Sequence, residues 1–557
     1  MTDFYMQRVK MVRRIAVLAT TFCLGVVSGQ SRADVPSWNM GSPAKCQRLS
    51  STRVHGVEIS AARWEKGGPI PLPFPAMMPM LAHDQLPAHC LVRGVLDPRV
   101  GVGGVKYGLG FELRMPHDWN GRFLFQGGGG LDGTVMPAIG LVGVSGPVAL
   151  ARGFAVISSD GGHETSGPSA ADFAAFAADQ QARLDFAYAG LGPVAELGQR
   201  LVARYYGRPA RDSYFAGCSN GGREAMMVVE RFPTLFNGII AGDPGFNMTK
   251  AGVAEMWSLK HLEQIAPKDS AGRPILSEAL TDSDLRLVSA GVLQACDALD
   301  GLRDGMINDI AACRFDPRVL LCRPGSNRGC LSKPKVEALE AIFAGPQDSA
   351  GRPLDASWPF DAGIDALGWR IWKLGISTTS VPNAADATLG LAAMRYYFMM
   401  PPDPQMTPQT FNFDRALDLT ARTAALEDAT GTFFSTYIAR GGKLIIYQGM
   451  SDPVFSPNAI IGWYRKLIAQ YQEPQKWARL FLIPGMNHCF GGPATDQFDA
   501  LSAIVQWTED HKPPTRLIAR GATFPGATRP LCPYPEYARY QGGDPNAEQS
   551  FVCATKP

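Results

Sequence analysis

Apolar residues along this chain gather in short runs that alternate with longer stretches of helical period, the rhythm of strands followed by helices. A first block predicts strands over 108–115, 122–126 and 154–158, then a long alanine-rich helix over about 170–206. A short strand over 213–216 and a helix over 220–232 close that block. The rhythm resumes with a strand over 443–448, a helix over 459–471, a strand over 478–483 and a helix over 495–508. The two blocks read as halves of one mainly parallel sheet. Between them, residues 245–435 carry many Pro, Gly, Trp and Cys and no repeated alternation, which predicts an inserted lid domain over the strand ends. Residues 34–100, punctuated by Pro69, Pro71, Pro73, Pro75 and Pro79, read as loops and short edge strands.

The N-terminus changes the picture of where the protein works. Arg8, Lys10, Arg13 and Arg14 precede an apolar run from Ile15 to Val27, and small and polar residues follow to Ser31-Arg32-Ala33. This is the pattern of a cleavable export signal over 1–33, and the run is short for a membrane span. The protein is therefore expected in the periplasm or outside the cell. Removing the signal takes five basic residues and one acidic one, leaving 48 against 50. So even a balance gives no basic face for nucleic acid or an anionic membrane, and suits a small neutral or weakly charged substrate. Of 11 cysteines, Cys23 leaves with the signal. The other ten are an even number in an exported chain, which predicts five disulfides. None has the two-residue spacing of a metal knuckle.

Candidate chemistry enters at Gly217-Cys218-Ser219-Asn220-Gly221, a G-x-S-x-G segment between a predicted strand and a predicted helix. That context exposes a serine Oγ on a sharp turn and aims the Asn220 N–H and the helix N-terminus at an oxyanion. A serine needs a base, and His488 in Gly485-Met486-Asn487-His488-Cys489 follows the strand over 478–483. Asp452, after the strand over 443–448, supplies the acid that orients the histidine. His163 precedes the serine, contrary to the order Ser, Asp, His of the α/β-hydrolase fold, and reads as structural or pocket-lining. Cys218 directly precedes the nucleophile and Cys489 directly follows the base, so a bridge between them would hold the two loops together. A second oxyanion donor is expected from Gly127–Gly130 after the strand over 122–126, at Gly128 or Gly129.

Asp297, Asp300 and Asp304 stand at intervals of three and four among glycines, and carboxylates so close repel unless a hard cation sits between them. Structural Ca2+ is expected, completed by the backbone carbonyls of Leu302 and Met306. Cys296 with Cys313, Cys322 with Cys330, Cys532 with Cys553 and Cys46 with Cys90 are the expected remaining bridges, although ten cysteines permit many other pairings.

Gly217–Arg223, Asp297–Ile307, Gly441–Ile445, Asp452, His488-Cys489 and the tail Arg529–Pro535 together resemble the tannase and feruloyl esterase family over nearly the whole mature chain. The resemblance implies an α/β-hydrolase fold with a large inserted lid domain carrying structural calcium. The chain then divides into a signal over 1–33, the first part of the hydrolase domain over 34–244, the lid over 245–435 and the second part over 436–557. It also implies hydrolysis of small aromatic esters, of gallic, ferulic or terephthalic acid, with Trp372 of Gly368–Gly375 as the aromatic contact. Beyond it, Ile376–Met394 contains no arginine and carries Asp386, which argues against a substrate with a free carboxylate. Trp369 reads as core. Two alternatives stand beside this reading: a general acyl esterase without aromatic preference, and a calcium-stabilised binding protein that has lost turnover.

Overall fold

A computed structural model describes residues 40–70, 85–142, 146–167, 169–326 and 328–555, so the expected signal and Cys23 lie outside the described residues. Nine strands form one sheet: β1 (Val57–Glu65), β2 (His89–Val100), β3 (Lys106–Pro116), β4 (Arg122–Gln126), β5 (Ala155–Ser159), β6 (Asp212–Cys218), β7 (Gly238–Gly242), β8 (Lys443–Gly449) and β9 (Ala478–Ile483). Their order across the sheet is β1-β2-β3-β5-β4-β6-β7-β8-β9. The pairs among β1, β2, β3 and β5 are antiparallel and the rest are parallel.

The parallel strands are mostly apolar because helices cover both faces, so most residues of such a strand are buried on one side or the other. Phe123, Phe125, Phe215, Ile239, Leu444, Ile446 and Leu480 enter one core. Their alternating neighbours Leu124, Tyr214, Ala216, Ile240, Ile445, Tyr447 and Phe481 enter the other. Helix α1 (Leu191–Tyr206) covers the first face through Leu191, Val194, Leu197 and Leu201, and ends where Gly207 turns left-handed. Helix α2 (Asn220–Arg231) follows β6 on the same face, and a helix at Ala500–Glu509 covers the second through Leu501, Ile504 and Trp507.

Between β7 and β8 the chain adds no strand to this sheet. It builds a helical layer with its own core of Leu259, Leu262, Leu285, Val288, Leu339 and Tyr397. All five expected disulfides are present: Cys46–Cys90, Cys218–Cys489, Cys296–Cys313, Cys322–Cys330 and Cys532–Cys553.

Three expectations about elements need correction. Residues 34–100 are not mainly loop, because β1 and β2 are long paired strands. Pro98, within β2, sits where the register of β2 and β3 shifts. The helix over 170–206 is broken into a 3-10 stretch (Ala170–Ala178), a short α-helix (Gln180–Leu184), a π turn (Asp185–Ala189) and α1. Asp179 causes the first break: its carboxylate accepts the Ala182 N–H as an N-cap and pairs with Arg99. Strand β7, between glycines, was not foreseen at all.

Candidate active site

Strands β6, β7, β8 and β9 are neighbours and parallel, so the loops after them open side by side at one edge of the sheet. Ser219 follows β6 with φ 65°, a left-handed conformation that a non-glycine residue adopts only when its surroundings impose it. The flanking glycines are what permit the turn. A Cβ on Gly217 would lie 2.6 Å from the Gly221 backbone, and one on Gly221 would lie 2.7 Å from the Gly128 carbonyl.

Ser219 Oγ lies 2.8 Å from His488 Nε2, and His488 Nδ1 lies 2.9 Å from Asp452 Oδ2. Sequence reasoning singled out these three residues, and the fold brings them into one hydrogen-bonded chain. Asp452 is buried, and its second oxygen accepts the N–H groups of Val454 (2.7 Å) and Phe455 (3.1 Å). Gln448 Nε2 donates to Oδ2 as well, at 3.1 Å. Burial alone would lower the His488 pKa, but the charge and hydrogen bond of Asp452, helped by Asp243, raise it. The imidazole is flanked edge-on by Trp372, 5.3 Å between ring centroids, and by Phe455 at 5.2 Å.

The loops that carry acid and base are held from two directions. Cys218 and Cys489 are bridged with Cα atoms 6.0 Å apart, which ties the nucleophile turn to the histidine loop. From the helical layer, Asp361 accepts Ser451 Oγ–H (2.9 Å) and the Gly485 N–H (2.7 Å). Trp358 donates to the Asp452 carbonyl at 3.1 Å, and Asn487 donates to the Gly363 and Ser451 carbonyls.

Asn220 opens α2, where the first backbone N–H groups have no intrahelical acceptor. Of the two expected donors in Gly127–Gly130, Gly128 is already engaged: its N–H donates to Glu224 Oε2 at 3.0 Å. That leaves Gly129, whose N–H has no acceptor among the described residues. Glu224 on α2 also meets Asp132, and burial raises the pKa of both carboxyls. Asp132 in turn accepts Asn220 Nδ2–H at 2.7 Å, so the glycine loop is fastened to the first turn of α2.

His163 is buried, stacks on Phe176 at 3.9 Å and sits 3.1 Å from the Leu131 carbonyl. Burial drives its pKa down to about 4, which makes it a neutral packing group. Trp369 lies in the helical core, whereas Trp372 is half-buried beside the base. Asp386 is buried and accepts from Lys373 Nζ at 2.8 Å.

In the acidic loop, Asp297 accepts the N–H groups of Asp304 (3.2 Å) and Gly305 (3.1 Å), and Asp300 accepts Asn308 Nδ2–H at 2.7 Å. The N–H groups of Leu302 and Met306 donate to Asp300 and Asp304. Asp304 pairs with Arg529, while Asp297 and Asp300 have no ion-pair partner among the described residues. Burial pushes Asp300 up to about 6 against hydrogen bonds from Asn308, with the Asp304 charge adding to the rise. Carboxylates without a positive partner are ligands of the kind a hard divalent cation takes.

Sequence reasoning missed Asp243, Asp361, Glu224 and Phe455. For Asp243 a signal existed: Gly242-Asp243-Pro244-Gly245 ends an apolar run, as Asp452 and its neighbours do.

The family model described as tannase and feruloyl esterase matches residues 90–554. The chain belongs to the tannase and feruloyl esterase family. This tannase-family chain is 41% identical over 519 residues to mono(2-hydroxyethyl) terephthalate hydrolase of Piscinibacter sakaiensis, covering 85% of this chain and 86% of that protein. It is 28% identical over 472 residues to feruloyl esterase C of Talaromyces stipitatus, covering 79% and 82%. The crystal structure of feruloyl esterase B from Aspergillus oryzae superposes with a TM-score of 0.75 at 23% identity, covering 92% of this chain and all 100% of that one, so the fold is shared. The tannase-family enzyme is thus a carboxylic ester hydrolase with the α/β-hydrolase fold that its sequence leads one to expect. Its five disulfides suit an oxidising compartment outside the cytoplasm. No described helix is long and apolar enough to cross a membrane.

Proposed function

We propose that the enzyme hydrolyses esters of aromatic carboxylic acids through an acyl-Ser219 intermediate. The observation that carries this reading is the unbroken Ser219–His488–Asp452 chain with the Trp372 ring against its histidine. His488 Nε2 takes the Ser219 proton as Oγ attacks the ester carbonyl, and Asp452 stabilises the imidazolium that forms. The N–H groups of Asn220 and Gly129 receive the oxyanion, each worth about 3–4 kcal/mol in sites of this kind. His488 then protonates the departing alcohol. Water, activated by the same imidazole, releases the acid and restores Ser219.

Trp372 and Phe455 make the acyl side aromatic, in keeping with the feruloyl and terephthalate groups in the relatives' names. The described residues just beyond Trp372 offer little positive charge to a second carboxylate. Ile376–Met394 lacks arginine, the Lys373 ammonium is taken by Asp386, and Arg395 donates to the Met406 carbonyl. A neutral acyl group such as gallate or ferulate therefore fits better than terephthalate. The helical layer over 245–435 acts as a lid supplying Trp372. Asp297, Asp300 and Asp304, with the carbonyls of Leu302 and Met306, would hold a structural Ca2+ that would stiffen it next to the Cys296–Cys313 bridge. Export ends in the periplasm or beyond the cell.

The test is a comparison of kcat/KM for methyl gallate, methyl ferulate and a terephthalate monoester, with p-nitrophenyl acetate as a substrate lacking an aromatic acid. One of the first two should lead the monoester by roughly tenfold or more, the effect of leaving a buried charge unpaired. A lead for the monoester would contradict the neutral-acyl reading, and a lead for the acetate would contradict the aromatic one.

A further inference from the structure

Six non-glycine residues have left-handed backbone among those described, and three of them meet behind the candidate nucleophile: Ser219, Asp243 and Cys489. Such conformations cost about 1–3 kcal/mol each and persist only where neighbours over-determine them. The Asp243 side chain reaches Cys489 directly, and the backbone beside it holds Ser219. Asp243, fully buried at the end of β7, accepts the Gly449 N–H through Oδ1 at 2.6 Å and the Cys489 N–H through Oδ2 at 2.7 Å. Its own N–H donates to the Tyr447 carbonyl at 2.9 Å, while the Ser219 N–H donates to its neighbour Gly242 at 3.0 Å. The sulfur of Cys218 lies 3.8 Å from Oδ2. Carboxylate oxygens of Asp243 and Asp452 and a ring nitrogen of His488 fall within 4.8 Å of one another. The mechanism above does not use this carboxyl.

We infer that Asp243 is a positioning residue for the reaction, a second carboxyl that fixes the His488 loop against the Asp452 loop and adds to the field felt by the imidazole. The inference rests on the reading of Ser219, His488 and Asp452 as the working triad. Two acceptances set the geometry: Gly449 begins the turn that presents Asp452, and Cys489 follows His488 directly. Asp361 joins the same two loops from the helical layer, and Asp243 joins them to the end of β7 from the sheet side. The titratable groups facing Asp243 are Asp452, His488 and Tyr447, and it makes no ion pair with lysine or arginine among the described residues. Burial and the Asp452 charge push its carboxyl up to about 8, against hydrogen bonds from Gly449 and Cys489. The carboxyl braces the two loops whether or not it is ionised, and its charge, when present, faces the imidazolium that develops as Ser219 attacks, so turnover steps upward as it ionises.

Asp243→Asn tests this because the amide keeps one acceptor but must turn an NH2 toward either Gly449 or Cys489. The readouts are kcat and KM on p-nitrophenyl acetate from about pH 5 to pH 10, with circular dichroism and an intact-disulfide mass as folding controls and S219A in parallel. Expected for D243N is a kcat lower by about 10- to 100-fold, the usual effect of removing a group that orients a reacting side chain. KM should stay within about twofold, since Asp243 touches no substrate, and the alkaline step should vanish. A folded variant with wild-type kcat, or with the step retained, overturns the inference. So does a loss confined to KM. If D243N does not fold, D243S is read the same way: a folded variant with lowered kcat and unchanged KM supports the assignment, and one with wild-type kcat overturns it. Activity in S219A would sink the triad itself, whereas an inactive S219A beside an unaltered D243N sinks only the role of Asp243.

Discussion

Ser219, His488 and Asp452 touch in a line, and under the proposed mechanism their electrostatics set the expected pH dependence. The His488 pKa is raised above its ordinary value, and the base must be neutral to accept the serine proton. Activity should therefore rise as pH climbs through that raised pKa, giving kcat/KM an acid limb. Replacing Asp452 by Asn removes the charge that lifts the histidine, so the limb should move to lower pH. In the same variant kcat should fall by about 10,000-fold as the wrong tautomer becomes favoured. A pH–rate profile of D452N checks both, and an unmoved limb would mean that Asp452 is not the partner of His488. The identities of these residues were legible because each sits in a short motif after an apolar run. The roles of Glu224 and Asp361 were not, since a lone buried carboxylate carries no local pattern and its partners lie far away in sequence. Gly128 shows the same limit: the glycine loop announces close backbone approach, but only the fold shows that its N–H is engaged by Glu224.

Strands and the turns after them carry the site, and these were read more reliably than the long helix. Apolar runs over 122–126, 443–448 and 478–483 are short and bounded, so periodicity placed them nearly as found in β4, β8 and β9. The stretch over 170–206 misled because alanine favours a helix while the Asp179 cap and the Arg99 pair, one local and one 80 residues away, interrupt it. β1 and β2 were obscured by the proline-rich sequence over 69–79 that separates them. At this scale the Cys218–Cys489 bridge is the decisive link. It closes a separation of 271 residues, a constraint on the unfolded chain worth about 5 kcal/mol in the chain-entropy account. Its local effect is to hold two strand-end turns in register. Titrating a reductant while following hydrolysis and near-ultraviolet circular dichroism should show activity lost first, because the cores on both faces of the sheet do not depend on this bridge. Parallel loss of both signals would mean that the bridge serves stability alone.

Across the whole molecule, the sheet and the helical layer contribute to one centre, the sheet through its loops and the layer through Trp358, Asp361 and Trp372. Family membership and the alternation of strands and helices made the hydrolase half legible from sequence. The helical layer was legible only as an interruption, because its helices pack on one another through contacts with no simple period. Calcium is the expected support of that layer. Removing it with a chelator should leave Asp297 and Asp300 uncompensated and lower the melting temperature by about 1–2 degrees, as loss of about 1–2 kcal/mol would in a chain of this length. Restoring Ca2+ should reverse the shift, and an unchanged melting temperature would refute the metal assignment. The most direct test of the central claim is the rate at which purified S219A, folded and with Cys218–Cys489 intact, hydrolyses a p-nitrophenyl ester beside the wild-type enzyme. Acyl transfer through Ser219 requires a loss of about 100,000-fold or more, and a variant that still turns over at a rate near wild type would contradict it.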